Sequence, residues 1–192
     1  YYPVPPEIEE RLRESSIPRP ETGDSDFVTA ASYINPLYTF DNFVVGSSNK
    51  MAYSCCKAVA DDPHGSHGYN PLFIYGPSGL GKTHLMYAIA NEVLRKFPST
   101  VIICIKSEDF LNEMLDCMAK KKMADFKAKY RRADMLMIDD IQFISGKAAT
   151  QEEFFHTFDA LREANKQIVV TSDRPPREMY TLEERIKTRF SQ

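Results

Sequence analysis

The sequence predicts an α/β fold in which a parallel sheet is sandwiched between helices. Two observations carry this expectation. Four short apolar runs recur, "LFIY" at 72–75, "VIICI" at 101–105, "MLMI" at 135–138 and "IVVT" at 168–171, and each is continuous rather than alternating, as strands covered on both faces require. Between them lie segments whose apolar residues fall at helical spacing, the long crossovers that parallel neighbours need.

The elements follow in order. Six of the twelve prolines fall in the first 36 residues, amid dense charge and few large apolar side chains, so 1–36 reads as a proline-rich flexible linker with one short helix around Glu7 to Glu14. The composition changes after it, which sets the globular unit at 37–192. "YTFDNFVVGSSNK" supplies an aromatic-rich extended piece, Gly46 as a turn and Ser48 or Asn49 as an N-cap. Met51, Ala52, Cys55, Cys56 and Val59 then follow at helical spacing as far as Pro63. Further helices are expected over 82–96, 108–119, 123–131 and 151–164.

The bulk properties exclude several classes. A chain of 192 residues with 43% hydrophobic residues supports one core. A net charge of −3 argues against coating nucleic acid by bulk charge and leaves that contact to a local basic patch. Cys55, Cys56, Cys104 and Cys117 lack CxxC spacing and histidine partners at metal-ligand distance, so they read as reduced core residues. With no basic-then-apolar leader and no run of about eighteen apolar residues, a cytoplasmic protein without a membrane span is expected.

The chemistry begins after the first run. "GPSGLGKTH", residues 76–84, fits G-x-x-x-x-G-K-[ST] and opens a helix, the P-loop arrangement of NTPases. Glycines let the backbone fold around phosphate oxygens, while loop amides and the helix N-terminus supply partial positive charge. Gly76, Pro77, Ser78, Gly79, Leu80, Gly81, Lys82, Thr83 and His84 are therefore the expected ATP/ADP phosphate cradle. Lys82 brings a full charge to the β/γ-phosphates, and the Thr83 hydroxyl is a ligand for Mg²⁺.

"MLMIDDIQF", residues 135–143, ends a buried strand in two adjacent carboxylates. Desolvating both costs several kcal/mol unless a cation lies beside them. Mg²⁺ is that cation, with Asp139 holding its shell together with Thr83. Asp140 then faces the γ-phosphate and orients or deprotonates the attacking water, or caps the following segment. If the fourth strand inserts between the first and third, giving the order 1-4-3-2, its tip of Thr171, Ser172 and Asp173 lies beside Asp139. An ordinary turn at "SDRPP" competes with that reading.

Together with "TFDNFVVGSSNKMA", "QEEFFHTFDAL" and "LEERIKTRF", these motifs closely resemble, in order and separation, the ATPase domain of the bacterial chromosomal replication initiators of the DnaA family, which are AAA+ proteins. The resemblance covers about residues 36–190. It implies that Val44, Val45 and Gly46 contact adenine, that Asp173 is the sensor at the end of strand four, and that Arg185 and Arg189 are interface arginines. Arg189 would be the arginine finger that reaches the γ-phosphate on an adjacent subunit, a task suited to a permanently charged bidentate donor. "LDCMAKKKMADFKAKYRR", 115–132, carries seven basic residues. By itself it is the charged face of a helix, but in the family the corresponding helical insertion lines a channel for single-stranded DNA, which implies that Leu115, Lys120, Lys121 and Lys147 lie near the strand. Ala149 stands where some members carry an arginine.

The family continues past "KTRF" with a fifth strand, a helical lid and a C-terminal helix-turn-helix domain that reads duplex sites. The chain is therefore expected to be truncated, with its first strand at a sheet edge and with weakened ATP binding. The resemblance implies an initiator that binds ATP, hydrolyses it slowly, self-assembles on origin DNA in its ATP form, and promotes strand opening and helicase loading with the replicative helicase machinery as a partner. An AAA+ helicase loader of the DnaC/DnaI type is the alternative. A metabolic P-loop kinase would need no interface arginines, and a module that had lost hydrolysis would not keep Lys82, Thr83, Asp139 and Asp140 together.

Overall fold

The computed structural model describes residues 34–63, 68–144, 148–180 and 184–190; the short helix expected at Glu7 to Glu14 lies outside them. In chain order the elements are α1 (Lys50–Asp61), β1 (Leu72–Tyr75), α2 (Lys82–Lys96), β2 (Ile102–Lys106), α3 (Ser107–Ala119), α4 (Met123–Arg131), β3 (Met135–Asp139), α5 (Ala148–Glu163), β4 (Gln167–Ser172) and α6 (Glu184–Phe190). Single 3₁₀ turns occupy Ile141–Ile144 and Pro176–Glu178. The four strands are parallel in the order β1-β4-β3-β2, as expected.

The continuous apolar runs have a simple cause. Alternate residues of a strand point to opposite faces, and here each face meets a helical layer. Met135, Met137 and Val169 pack with α1 and α2, whereas Leu136, Ile138, Ile168 and Val170 pack with α3, α4 and α5. The second layer is an aromatic lattice: the Phe110 ring meets Phe126, Tyr130 and Phe154 edge-on at 5.2, 5.0 and 6.0 Å. α3 and α4 are fastened by Glu113, which accepts hydrogen bonds from Lys129 Nζ at 2.6 Å and Tyr130 Oη at 2.7 Å.

Asp134, just ahead of β3, ties three strands together. Its carboxylate accepts the Val101 N–H at 3.0 Å and Lys166 Nζ at 2.6 Å, while its carbonyl accepts the Gln167 N–H at 3.1 Å. This sets the register in which Ile138 faces Ile105 on one side and Val170 on the other.

Several boundaries differ from the sequence reading. β4 includes the polar residues Gln167 and Ser172, both buried, and α5 begins three residues earlier than expected. Asn49 occupies the N-cap position of α1 but makes no side-chain cap. Its carboxamide turns back instead, accepting the Gly46 N–H at 2.8 Å and donating to the Val44 carbonyl at 3.0 Å, so it braces the preceding turn rather than the helix. Ser48 makes no cap either. All four cysteines are free thiols.

Outside the core, Lys57 of α1 pairs with Glu92 of α2 and Lys96 of α2 pairs with Asp61 of α1. Glu92 accepts hydrogen bonds from Arg95 Nε at 2.9 Å and Nη2 at 3.0 Å, with Lys96 at 3.0 Å and Lys57 at 3.5 Å. Arg95, opposed in part by burial and helped by Lys96 and Lys57, pulls the Glu92 carboxyl down to about 2. A carboxyl lowered on folding stabilises above its unfolded value of about 4.3 and loses that contribution as the pH falls through its folded value. The melting temperature of the wild-type protein should exceed that of Glu92→Gln at pH 6, and the gap should close between about pH 4.3 and pH 2; a gap independent of pH would refute the pairing. In the buried lattice, Phe110→Ala should lower the unfolding free energy by about 3–5 kcal/mol in urea denaturation, and a loss below about 1 kcal/mol would show that the aromatic contacts do not hold α3 to the sheet.

Candidate functional site

The loop that leaves β1 is anchored at its start by the Gly76 N–H, which donates to the Ser172 carbonyl of β4 at 3.2 Å. It ends on Gly81, where φ is +86° and an added Cβ would lie 2.7 Å from Phe43 Cε2. Glycine is required there twice, by the left-handed backbone and by the ring seated on it. Lys82 folds back over the loop, donating from Nζ to the Pro77 carbonyl at 3.1 Å. Neither a capping side chain nor an acid occupies the first turn of α2, so its leading N–H groups and their partial positive charge remain available at the loop.

Beneath the loop the two neighbouring strand ends meet. Asp139, buried at the end of β3, accepts hydrogen bonds on both oxygens: Oδ2 from Thr83 Oγ1 at 2.9 Å, and Oδ1 from Thr171 Oγ1. One carboxylate thus joins the first turn of α2 to the tip of β4. The hydroxyl donors offset part of the cost of burying it. The donor set also fits Mg²⁺: oxygens about 2.0–2.1 Å from an octahedral ion sit about 2.9 Å apart in neighbouring positions, which is the Thr83 to Asp139 separation. Thr83 and Asp139 would hold the ion, with water and phosphate completing the shell. Among the described residues there is no cluster of three or more His, Cys, Asp or Glu side chains that could hold a metal.

Asp140 leaves the strand with φ at +56°, a left-handed conformation that Asp adopts more readily than most residues. Its backbone is pinned from both sides: the N–H donates to Thr171 Oγ1 at 2.9 Å, and the carbonyl accepts Ser107 Oγ at 2.5 Å from the start of α3. Its carboxylate caps no helix. Instead Oδ1 accepts Gln142 Nε2 at 3.0 Å. Gln142 in turn accepts the Asp173 N–H on Oε1 at 3.3 Å.

The strand tip divides. Thr171 points to Asp139 as expected, but Ser172 does not, because successive residues alternate faces; its hydroxyl sits 3.9 Å from Met179 Sδ on the other side of the sheet. The Asp173 carboxylate is held by Arg174 through Nε at 2.8 Å and Nη2 at 2.6 Å. Arg174 lowers its pKa, burial works against this, and Lys82 lowers it further, which puts the tip within electrostatic reach of the loop lysine.

The segment ahead of α1 lies along α2. Asn91 Nδ2 donates to the carbonyls of Asn35 and Tyr38 at 3.0 and 2.8 Å, and His84 Nε2 meets the Thr39 carbonyl at 2.7 Å. The His84 ring stacks on Tyr38 at 4.9 Å and meets Phe43 edge-on at 5.2 Å, so this loop residue is engaged with the aromatic segment. Val44, Val45 and Gly46 follow directly and are exposed. A cavity of about 520 Å³ is lined by Asp139 together with Met86, Tyr87, Cys104, Lys106 and Asp109 among others. Burial, aided by Asp139, pushes the Cys104 thiol up to about 12, which leaves it unreactive.

The remaining candidates are scattered. Leu115 is half exposed on α3, Lys120 is paired with Asp116 at 2.7 Å, and Lys121 sits at the α3–α4 turn with φ at +57°. Part of the basic run is paired within the fold, Lys127 with Glu153 at 3.2 Å and Lys129 with Glu113 at 2.6 Å. Lys147 lies outside the described residues. The Arg185 guanidinium covers the Phe155 ring at 4.3 Å; Arg189 belongs to α6, and its side chain lies outside the described set. Among the described residues, no helix is long and apolar enough to cross a membrane. Sequence reasoning missed Phe43, Ser107, Gln142 and Arg174. The only signal for Phe43 was the aromatic spacing with Tyr38 and Phe40.

Comparison with known proteins agrees with this geometry. The family profile of the bacterial DnaA ATPase domain matches residues 34–192. A chromosomal replication initiator protein DnaA from Caldanaerobacter subterraneus subsp. tengcongensis is 53% identical over 186 residues, covering 96% of this chain and 41% of that protein; the chain thus spans less than half the length of this relative. The crystal structure of domain III of the Thermotoga maritima replication initiation protein DnaA superposes with a TM-score of 0.79 at 47% identity, covering 82% of this chain and 65% of that one. A replication initiator DnaA bound to AMPPCP and single-stranded DNA gives 0.78 at 40% identity, with 83% and 49% covered. The DnaC helicase loader, at 17% identity and a TM-score of 0.60, shares the fold alone. Matched by that profile along residues 34–192, the chain belongs to the bacterial DnaA ATPase-domain family.

Proposed function

We propose that this chain is the nucleotide-switched core of a cytoplasmic replication initiator: it binds ATP or ADP with Mg²⁺, hydrolyses ATP slowly, and in its ATP form self-assembles on origin DNA to promote strand opening and helicase loading. The observation that carries the reading is the Asp139 carboxylate shared by Thr83 and Thr171 beneath a loop that Lys82 closes. Mg²⁺, when bound, neutralises the charge of the β- and γ-phosphates. Lys82 exchanges the Pro77 carbonyl for phosphate oxygens, and the loop from Gly76 to His84 supplies its amides. Val44, Val45 and Gly46 take the adenine. Asp140 orients the attacking water and receives its proton. Being one methylene shorter than Glu, it holds that water less closely, and slow turnover suits a timed switch. Asp173 reads the terminal phosphate.

Arg185 and Arg189 complete the site of an adjacent subunit, and single-stranded DNA runs past Leu115, Lys120, Lys121 and Lys147. A DnaA structure with AMPPCP and single-stranded DNA supports both ligands. Duplex sites would be read by a separate domain.

Assembly on single-stranded DNA, followed by light scattering or crosslinking, should proceed with ATP and fail with ADP, and Arg189→Ala should make ATP behave like ADP. If both nucleotides drive assembly equally, the switch is refuted. Replacing Lys120 and Lys121 together by alanine should weaken single-strand binding and reduce its log–log salt slope by about 1.4, since each phosphate contact on a single strand contributes about 0.7. An unchanged slope would remove both residues from the DNA path.

A further inference from the structure

Gln142 is assigned no role by the nucleotide reading, yet its side chain hydrogen-bonds to both acids proposed to act on the terminal phosphate. It stands in the 3₁₀ turn that follows β3. The amide nitrogen donates to Asp140 Oδ1 at 3.0 Å and the amide oxygen accepts the Asp173 N–H at 3.3 Å. The orientation of the amide is unambiguous, because a carboxylate can only accept and a backbone N–H can only donate; the flipped amide would lose both bonds.

What it bridges is held on every other side. The Asp140 backbone is fixed by Thr171 and Ser107, so the carboxylate's own rotation is its remaining freedom. Gln142 removes that freedom through Oδ1, and Oδ2 has no hydrogen-bond partner among the described residues. Asp173, in turn, has its carboxylate occupied by Arg174, which leaves its main chain as the handle by which the turn is gripped.

We infer that Gln142 is a positioning residue: it aims Asp140 Oδ2 at the attacking water and locks that aim to the β4 tip, so that the acid and the sensor turn move as one unit. A carboxylate free to rotate samples the productive geometry only part of the time, whereas a held one does so continuously. The amide donor also makes the carboxylate a weaker base, and orientation outweighs this because the bond runs to the oxygen that the water does not use. The inference rests on the hydrolysis reading given above.

The test compares Gln142→Ala and the near-isosteric Gln142→Glu with the wild-type protein, alone and combined with Asp140→Asn, in turnover, ATP affinity, melting temperature and NMR hydrogen exchange of the Asp173 amide. Gln142→Ala should lower turnover about tenfold while leaving the ATP dissociation constant within about twofold, and Asp173 should exchange faster. Gln142→Glu keeps the acceptor for Asp173 but places a carboxylate against Asp140, so it should lose turnover and retain protection. On the Asp140→Asn background neither change should cost anything further. Equal losses on both backgrounds, or unchanged exchange at Asp173 in Gln142→Ala, would overturn the assignment. If the wild-type protein binds ATP without turning it over, the hydrolysis reading fails separately and exchange decides the bridge: faster exchange in Gln142→Ala supports it, and equal exchange refutes it.

Discussion

The structure around the loop depends on one buried carboxylate. Asp139 is where the crossover through α2, the end of β3 and the tip of β4 are forced into contact, since Thr83 and Thr171 each place a hydroxyl on it. Removing the acid would leave the buried hydroxyl of Thr171 and the half-buried hydroxyl of Thr83 without this acceptor, and burying a charge there is tolerable only because both oxygens are satisfied. Because strands β3 and β4 are adjacent, Asp139 and Thr171 fall one step beyond the Ile138–Val170 pair. The adjacency of β3 and β4 is therefore what assembles the site, and any order that parted those two strands would separate the two residues.

Two left-handed residues lie close to that contact. Gly81 is left-handed under an aromatic ring, and Asp140 is left-handed at the strand exit. Single residues in that region cost of order 1–3 kcal/mol when they are not glycine, and Asp140 is the one such residue whose backbone is gripped by side chains from two separate elements, β4 and α3. The Ser107 grip also makes the first residue of α3 a direct neighbour of the acid pair. The helical hairpin that carries Leu115, Lys120 and Lys121 is thereby rooted at the end of the sheet that bears the loop.

Much of this was legible in the sequence. The four apolar runs were continuous because each strand is covered twice, and β1, α2 and α4 begin and end where spacing and punctuation put them. The loop and Asp139 announced themselves because glycine, lysine and paired acids in a buried context have few other uses. What stayed hidden was set by tertiary placement. Gln142 meets Asp173 only after a crossover of 31 residues folds back, and nothing in a glutamine signals that its two ends will be shared. Ser172 read as part of a polar tip, whereas strand alternation turns it to the opposite face. Asn49 had the identity and position of a helix cap, but nearer backbone partners in the preceding turn captured its carboxamide.

The clasp made by Asp134 has a mechanical meaning. It binds the chain ahead of β2 and the chain ahead of β4 at the end of the sheet remote from the loop, so the three strands are pinned like the ribs of a fan at its handle. The pin sets the register at one end of the sheet, and the pairing that brings Lys106 beside Asp139 at the other end follows from it strand by strand.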